Sequence, residues 1–513
     1  MLQKLITSCL LIASCFGYSA SEMSLEEKVG QLFVVHFNGE EVNDDAKALI
    51  QEMHVGGFIY YNWANGLTSP AQVKSLSEGL QKLAAIPLLI TTDQEGGIVA
   101  RLTQGFTVFP GNKALGMTGD SELAKESAFA IGEQLQAVGI NVNFSPVVDV
   151  NSNPRNPVIG IRSFGDSVDT VVAFGRKALE GYRQAGTIAC LKHFPGHGDV
   201  EVDSHCDLPI INKSIEELRQ VELRPFAELA SQAETIMTAH ILVPALDPEY
   251  CSTLSKKTLD FLRKDLGFQG VIITDSLVME GVLKKCGSID EAAIQALNAG
   301  CDILLLGGKQ LISNSKVELT VSDIRRIHQV LVEAVKSGRV SEERLNQAVE
   351  KVIQLKNKHL LKPTQAIIKS AEHEALSKKI AALSLKIIKN EPVSLTEKKV
   401  AVFAPQAIKG SVEETSLKEA FFFEGLNPSE ADTSAIKERA KAADVIVFCS
   451  YNSWKNATQA AVINSLLEMG KPVILFAVRD PQDATLYPKA SVIITTFSPT
   501  APSIQAGCDF LKF

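Results

Sequence analysis

Residues 187–205 read Thr-Ile-Ala-Cys-Leu-Lys-His-Phe-Pro-Gly-His-Gly-Asp-Val-Glu-Val-Asp-Ser-His, a short apolar run that breaks into a polar, glycine-rich loop. The apolar part predicts a buried strand over Thr187–His193, with Lys192 and His193 at its carboxyl end. The loop gathers three histidines and three carboxylates around a proline and two glycines, a composition suited to chemistry rather than packing. In parallel α/β folds the carboxyl edge of the sheet carries the site, so this one stretch points to a parallel sheet with function at its strand ends.

Working outward, β-branched runs alternate with helical spacing from Val29 to about Gly308. Candidate strands are Leu32–His36, Gly57–Tyr61, Leu88–Asp93, Asn141–Val147, Thr187–His193, Thr235–His240, Val271–Asp275 and Asp302–Leu305. Eight strand-helix units fit a (β/α)8 TIM-type barrel better than an open doubly wound sheet. Ser121–Val138, Ser214–Gln232 and Ser322–Ser337 supply outer helices, and Ser341–Leu360 closes the ring. The catalytic barrel is expected over 21–361 and a helical connector over 362–396. A smaller α/β/α sandwich domain is expected over 397–513, with parallel strands Lys399–Ala404, Val445–Cys449, Val473–Val478 and Val492–Thr496. It holds no polar cluster like the loop at 192, so it reads as a structural or dimerising module.

The formal charge of -8 and the lack of any long basic run argue against nucleic acid, since neutralising phosphates needs clustered Lys and Arg. The nine cysteines are scattered, with no Cys-x-x-Cys pair, and read mostly as buried thiols; a nucleophilic Cys190 or Cys206 is a weak reading. Residues 1–20 carry one cation, Lys4, and then an apolar run from Leu5 to Phe16, the pattern of a signal peptide. Ile12-Ala13-Ser14-Cys15 resembles a lipobox, in which Cys15 would be lipidated; simple cleavage near Ser19 or Ala20 is the alternative. Either way the expected location is outside the cytoplasm, periplasmic or anchored to a membrane.

Several charged residues fall just past predicted strand ends. Asp93 leads into Gln94-Glu95-Gly96-Gly97, with Arg101 a turn later, and Arg162 lies within Asn156–Gly165. Asp275 ends Val-Ile-Ile-Thr-Asp; its plain alternative is an N-cap for a helix starting at Ser276. Together these suggest glycoside hydrolysis, which uses a carboxylate nucleophile and a proton donor. Asp203-Ser204-His205 can form a carboxylate-imidazole dyad, and His titrates close to neutral pH. Zinc at His193, His197 and His205 is a competing reading, although Pro195, Gly196 and Gly198 disfavour the helix that the four-residue spacing would need. Trp63 follows the second strand and reads equally as a sugar platform at an outer subsite or as a packed loop residue.

Four ordered motifs resemble glycoside hydrolase family 3, specifically its β-N-acetylglucosaminidase branch. They are Lys-His-Phe-Pro-Gly-His-Gly-Asp with the later Asp-Ser-His, Asp-Gln-Glu-Gly-Gly with the later Arg-Leu, Val-Ile-Gly-x-Arg-Ser-Phe-Gly, and Thr-Asp-Ser-Leu-x-Met. The resemblance implies that Asp275 is the nucleophile of a retaining reaction, with His205 the acid/base and Asp203 its dyad partner. It implies that Asp93, Arg101, Arg162, Lys192 and His193 bind the terminal N-acetylglucosamine, with no metal or organic cofactor; His240, at a strand end, has a less definite role. The implied partners are peptidoglycan-derived sugars, and the second domain and export signal resemble exported two-domain members. A histidine acid/base carries no negative charge toward an incoming anion, so phosphorolysis is a mechanistic alternative. A non-catalytic muropeptide-binding lipoprotein is the alternative from another functional class.

Overall fold

A computed structural model of the chain describes residues 17–202, 204, 207–312, 315–361, 366, 368 and 371–513. The apolar run Leu5–Phe16, expected from the sequence to be part of a signal peptide, and Cys15 within it, together with Asp203, His205 and Cys206, lie outside the described residues. Eight parallel strands form the first sheet: β1 (Phe33–Val35), β2 (Gly57–Ile59), β3 (Leu89–Thr92), β4 (Val142–Asn143), β5 (Ile188–Phe194), β6 (Thr235–Thr238), β7 (Val271–Ile273) and β8 (Leu304–Leu305). Each pairs with its neighbour in chain order, β8 pairs with β1, and a parallel bridge between Ile273 and Ile303 brings the ends of the ring together. The expected TIM-type barrel is the fold observed. Its strands are buried along their whole length because helices cover the outside and side chains fill the inside.

Asp93 and Asp275 lie just past the ends of β3 and β7 and so are free of the ladder, whereas Lys192 and His193 lie within the last residues of β5. Of the outer helices, the segment expected as Ser214–Gln232 differs. It forms Ile215–Gln220, then Arg224–Leu229, then a 3-10 turn over Ala230–Gln232. Pro225 explains the break: it lacks an N–H and is accommodated only in the first turn of the second helix.

The opposite, amino-terminal face of the barrel is held by buried charge. Asp302, fully buried, accepts from Arg263 Nη2 at 2.6 Å, from Arg344 Nη2 at 2.7 Å and from the backbone N–H of Ile272 at 3.0 Å. Lys356 donates to Gln31 Oε1 (2.7 Å) and to the Gly56 carbonyl (2.8 Å), and burial pulls its amine down to about 7.

After the barrel, Ala371–Ser384 is helical, and the chain then forms β9 (Lys386–Asn390) within the stretch expected as connector. β9 alternates exposed and half-buried residues, as an edge strand should, and runs antiparallel to β14 (Val492–Thr495). The sheet of the second domain continues through β13 (Val473–Ala477), β12 (Val445–Ser450) and β10 (Val400–Pro405) to β11 (Phe421–Phe423), all parallel. Apolar clusters lie on both faces of the sheet, beneath Glu430–Lys441 and Ala457–Leu467 on one side and Ala501–Leu511 on the other. This is the expected α/β/α sandwich with two further edge strands. Among the described residues no helix is long and apolar enough to cross a membrane.

Candidate active site

At the carboxyl face of the barrel a cavity of about 390 Å³ is lined by Asp93, Arg101, Arg162, Lys192, His193 and Asp275, the described residues singled out in the sequence. They come from three separate strand ends and two loops, and the barrel is what brings them together. Tyr61, Trp63, His197, Ser204, Met279 and Lys309 complete much of the wall.

Lys192 is the centre of the charged wall. Its amine lies 2.8 Å from Asp93 Oδ1 and 2.7 Å from Glu95 Oε1. Arg162 grips the same Glu95 with two hydrogen bonds, Nε to Oε2 at 2.9 Å and Nη2 to Oε1 at 2.8 Å. Burial pushes the Glu95 carboxyl up, but Arg162 and Lys192 together outweigh it and hold the group well below the usual carboxylate range. For Lys192 burial acts downward and is outweighed by Asp93 and Glu95, so the amine stays charged. Arg101 reaches Asp93 at 3.7 Å and lies over the Tyr61 ring. Its backbone is set by Gln94, whose side-chain carbonyl accepts from the N–H groups of Arg101 (2.8 Å) and Leu102 (3.0 Å).

His193 is oriented from behind. Its Nδ1 donates to Asp149 Oδ2 at 2.7 Å, which leaves Nε2 facing the Arg162 guanidinium at 3.4 Å. Asp149 is fully buried and its other oxygen accepts from the backbone N–H groups of His193 (3.1 Å) and His197 (2.7 Å). One carboxylate thus fixes both histidine backbones and one ring. His197 is buried, and burial, with His193 nearby, pulls it down to about 4. Its neutral ring meets Ser204 Oγ at 2.9 Å. Gly198 lies so close to Val150 that a side-chain carbon there would sit 1.6 Å from the Val150 carbonyl oxygen, which explains the glycine in the loop.

Asp275 lies two residues beyond β7 and lines the cavity. The N-cap alternative does not hold, because the next helix is Glu280–Cys286 with Met279 at its N-cap. Asp275 Oδ1 instead accepts from the N–H of Ser276 at 2.7 Å, and Ser276 is tied to the Gly307 carbonyl through its hydroxyl at 2.6 Å. His240 has a definite place here: Nε2 donates to the Ser276 carbonyl at 2.9 Å and Nδ1 lies 2.8 Å from Thr253 Oγ1. It anchors the peptide next to Asp275. His205 and Asp203 lie outside the described residues, and Ser204, between them in the sequence, lines the same cavity.

His193 and His197 meet edge to face, 5.9 Å between ring centres, each on its own protein partner. Among the described residues no group of three or more His, Cys, Asp or Glu is placed to hold a metal ion. Cys190 is fully buried in β5 and does not line the cavity, and burial pushes its thiol up to about 12, which disfavours a nucleophilic role. Trp63 stacks on Tyr61 with ring centres 4.9 Å apart, and the Lys309 amine lies 3.9 Å from its ring centre.

The sequence patterns by themselves give Glu95 and Asp149 no role. Glu95 does lie inside Gln-Glu-Gly-Gly, and Asp149 stands two residues past the predicted strand Asn141–Val147.

Comparison with known proteins places the chain in a family. The model of the glycosyl hydrolase family 3 N terminal domain matches residues 24–355, and the chain belongs to that family; it is a glycoside hydrolase. A relative named beta-hexosaminidase A, from Pseudoalteromonas piscicida, is 36% identical over 376 residues, covering 67% of this chain and 61% of the relative. The chain therefore spans about three fifths of that relative's length. A beta-hexosaminidase of Nitrosomonas eutropha is 32% identical over 304 residues, covering 57% of this chain and 86% of the relative. Among solved structures, a glycoside hydrolase family 3 beta-N-acetylglucosaminidase from Paenibacillus sp. str. FPU-7 superposes with a TM-score of 0.88 at 36% identity, covering 95% of this chain and 96% of that one.

Proposed function

We propose that the protein is a retaining exo-β-N-acetylglucosaminidase that removes terminal N-acetylglucosamine from peptidoglycan fragments outside the cytoplasm. The observation that carries this reading is the position of Asp275 in a small cavity walled by Asp93, Arg101, Arg162 and Lys192. A cavity of about 390 Å³ is near the lower end of the roughly 300–1,000 Å³ typical of ligand sites, which suits one sugar ring and an exo-acting enzyme. The names of the relatives support the activity, and the lipobox-like Ile12–Cys15 stretch supports export.

In this reading the Asp275 carboxylate attacks the anomeric carbon while His205 protonates the departing glycosidic oxygen, with Asp203 stabilising the imidazolium. A covalent glycosyl ester on Asp275 results. His205 then takes a proton from water, whose oxygen attacks the same carbon and releases the sugar with retained configuration. The buried charges hold the hydroxyls through charge-assisted hydrogen bonds.

The test is release of aryl alcohol from an aryl N-acetyl-β-glucosaminide, with and without phosphate, comparing wild type with Asp275→Ala and weighing the sugar product. Free N-acetylglucosamine from wild type alone supports the proposal. A sugar 1-phosphate makes the enzyme a phosphorylase, and no release in either condition overturns the reading. For the natural substrate, N-acetylglucosaminyl-muropeptides should be cleaved with higher kcat/KM than chitobiose. Full-length, unprocessed protein found only in the cytosol would sink the export part.

A further inference from the structure

Every side chain lining the catalytic cavity among the described residues belongs to the barrel, so any influence of the second domain on the site must pass through the barrel's loops. One loop is placed to transmit it. Residues 150–162 run beneath the catalytic loop and end in Arg162: Asn156 Nδ2 donates to the His197 carbonyl at 2.7 Å, and the Asn153 N–H donates to the Gly198 carbonyl at 3.3 Å. Its last turn, the 3-10 segment Gly160–Arg162, is held from within by Asn151 Oδ1, which accepts from the Gly160 N–H at 3.1 Å.

The other side of this loop meets the second domain just past the carboxyl end of β13. Gln482 Nε2 donates to the Pro154 carbonyl at 2.5 Å. The buried Asp480 carboxylate packs on Gly160, so closely that a side-chain carbon at 160 would lie 3.0 Å from Asp480 Oδ1. Asp480 is itself immobilised: Asn452 Nδ2 donates to Asp480 Oδ2 at 2.7 Å, and the Asp480 N–H donates to Asn452 Oδ1 at 3.0 Å. Asn452 stands just past β12 in the left-handed region, φ 53°, a conformation asparagine tolerates better than most residues. Gly160, at φ 45°, is likewise in the region that favours glycine, and its bare Cα permits the close approach of Asp480.

We infer that the second domain sets the position of Arg162 and of the loop carrying His197, with Asp480 and Gln482 as positioning residues that hold the 150–162 segment against the barrel. Neither residue lines the cavity. The domain is thus part of the substrate-binding apparatus at one remove.

The kinetic arm of the test rests on the N-acetylglucosaminidase reading; the structural arm does not. Asp480→Ala, Gln482→Ala and the double variant, in the full chain, should raise KM for an aryl N-acetyl-β-glucosaminide about 5- to 20-fold while kcat changes less than about threefold. Backbone hydrogen exchange across 151–163 should quicken in the same variants, with exchange in the strands of the second domain unchanged. Gly160→Ala should raise KM on its own, and adding Asp480→Gly should recover part of that loss, because the crowding partner is removed. Unchanged KM with unchanged exchange in the double variant overturns the inference, as does a uniform loss of protection over the whole second domain. If wild type proves inactive on the aryl glycoside, the exchange result alone decides it.

Discussion

The Glu95 carboxylate meets the Arg162 guanidinium in a two-pronged contact, 2.9 and 2.8 Å, and the same Glu95 oxygen lies 2.7 Å from the Lys192 amine. Two cations, one at a strand end and one on a loop, are therefore held beside the cavity by one buried anion. Asp93 shares Lys192 at 2.8 Å, so the group is close to charge-balanced.

Replacing Glu95 by Gln keeps the shape and removes the balance. Breaking one partner out of a buried ion group typically costs about 3–5 kcal/mol, because the remaining charges are left uncompensated. Glu95→Gln should lower thermal stability and raise KM sharply, measurable by calorimetry and initial rates. Because the folded carboxyl is held low, its contribution is fully present above about pH 4.5, the ordinary Glu value, and fades only as pH falls through the lower folded value. Near-wild-type stability and KM would mean that the pair is dispensable.

Asp149→Asn should leave the cavity lined by the same side chains but loosen His193. The lost charge-assisted contact, 2.7 Å to Nδ1, is worth about 1.5–3 kcal/mol for a bond to a charged group, or roughly 10- to 150-fold in kcat/KM. Initial-rate kinetics check it; a change below about twofold would remove Asp149 from the site's working parts.

His197 makes the barrel acid-sensitive. Its folded value, about 4, lies below the ordinary 6.5, so the unfolded chain binds the extra proton first. The stability this group contributes is complete above about pH 6.5 and declines as pH falls toward 4. Between pH 7 and pH 5 the loss should be on the order of 2 kcal/mol, seen as a falling Tm. His197→Gln should flatten that part of the profile; the same slope in the variant would show that another group is responsible.

Asp302 lies at the far end of the barrel from the cavity, between Arg263 and Arg344. Asp302→Ala should cost about 3–5 kcal/mol of barrel stability by leaving two guanidinium groups unpaired. Below the lowered Tm, KM should stay within about twofold of wild type, since no cavity-lining side chain is touched.

His205→Ala should slow substrates with poor leaving groups far more than activated aryl glycosides, whose departing oxygen needs little protonation. Equal losses on both would reassign His205 to a structural role.

What the amino-acid sequence determined by itself is the alternation of short β-branched runs with helices, the count of eight such units, and the charged residues at their ends. Those features are local: Val271–Ile273 is apolar because both faces of a parallel barrel strand are buried, and Asp275 is polar because the ladder has already stopped. Pro225 shows the limit of that reading, since the apolar spacing of 214–232 runs straight through a break that one missing N–H imposes. Tertiary structure alone decided how the charges are compensated. Glu95 finds Arg162 from 67 residues away, Asp149 finds His193 from 44, and Asp480 meets Gly160 from another domain. No periodicity reports such pairings, because a buried charge is satisfied by whatever the closed barrel and the docked domain bring within about 3 Å of it.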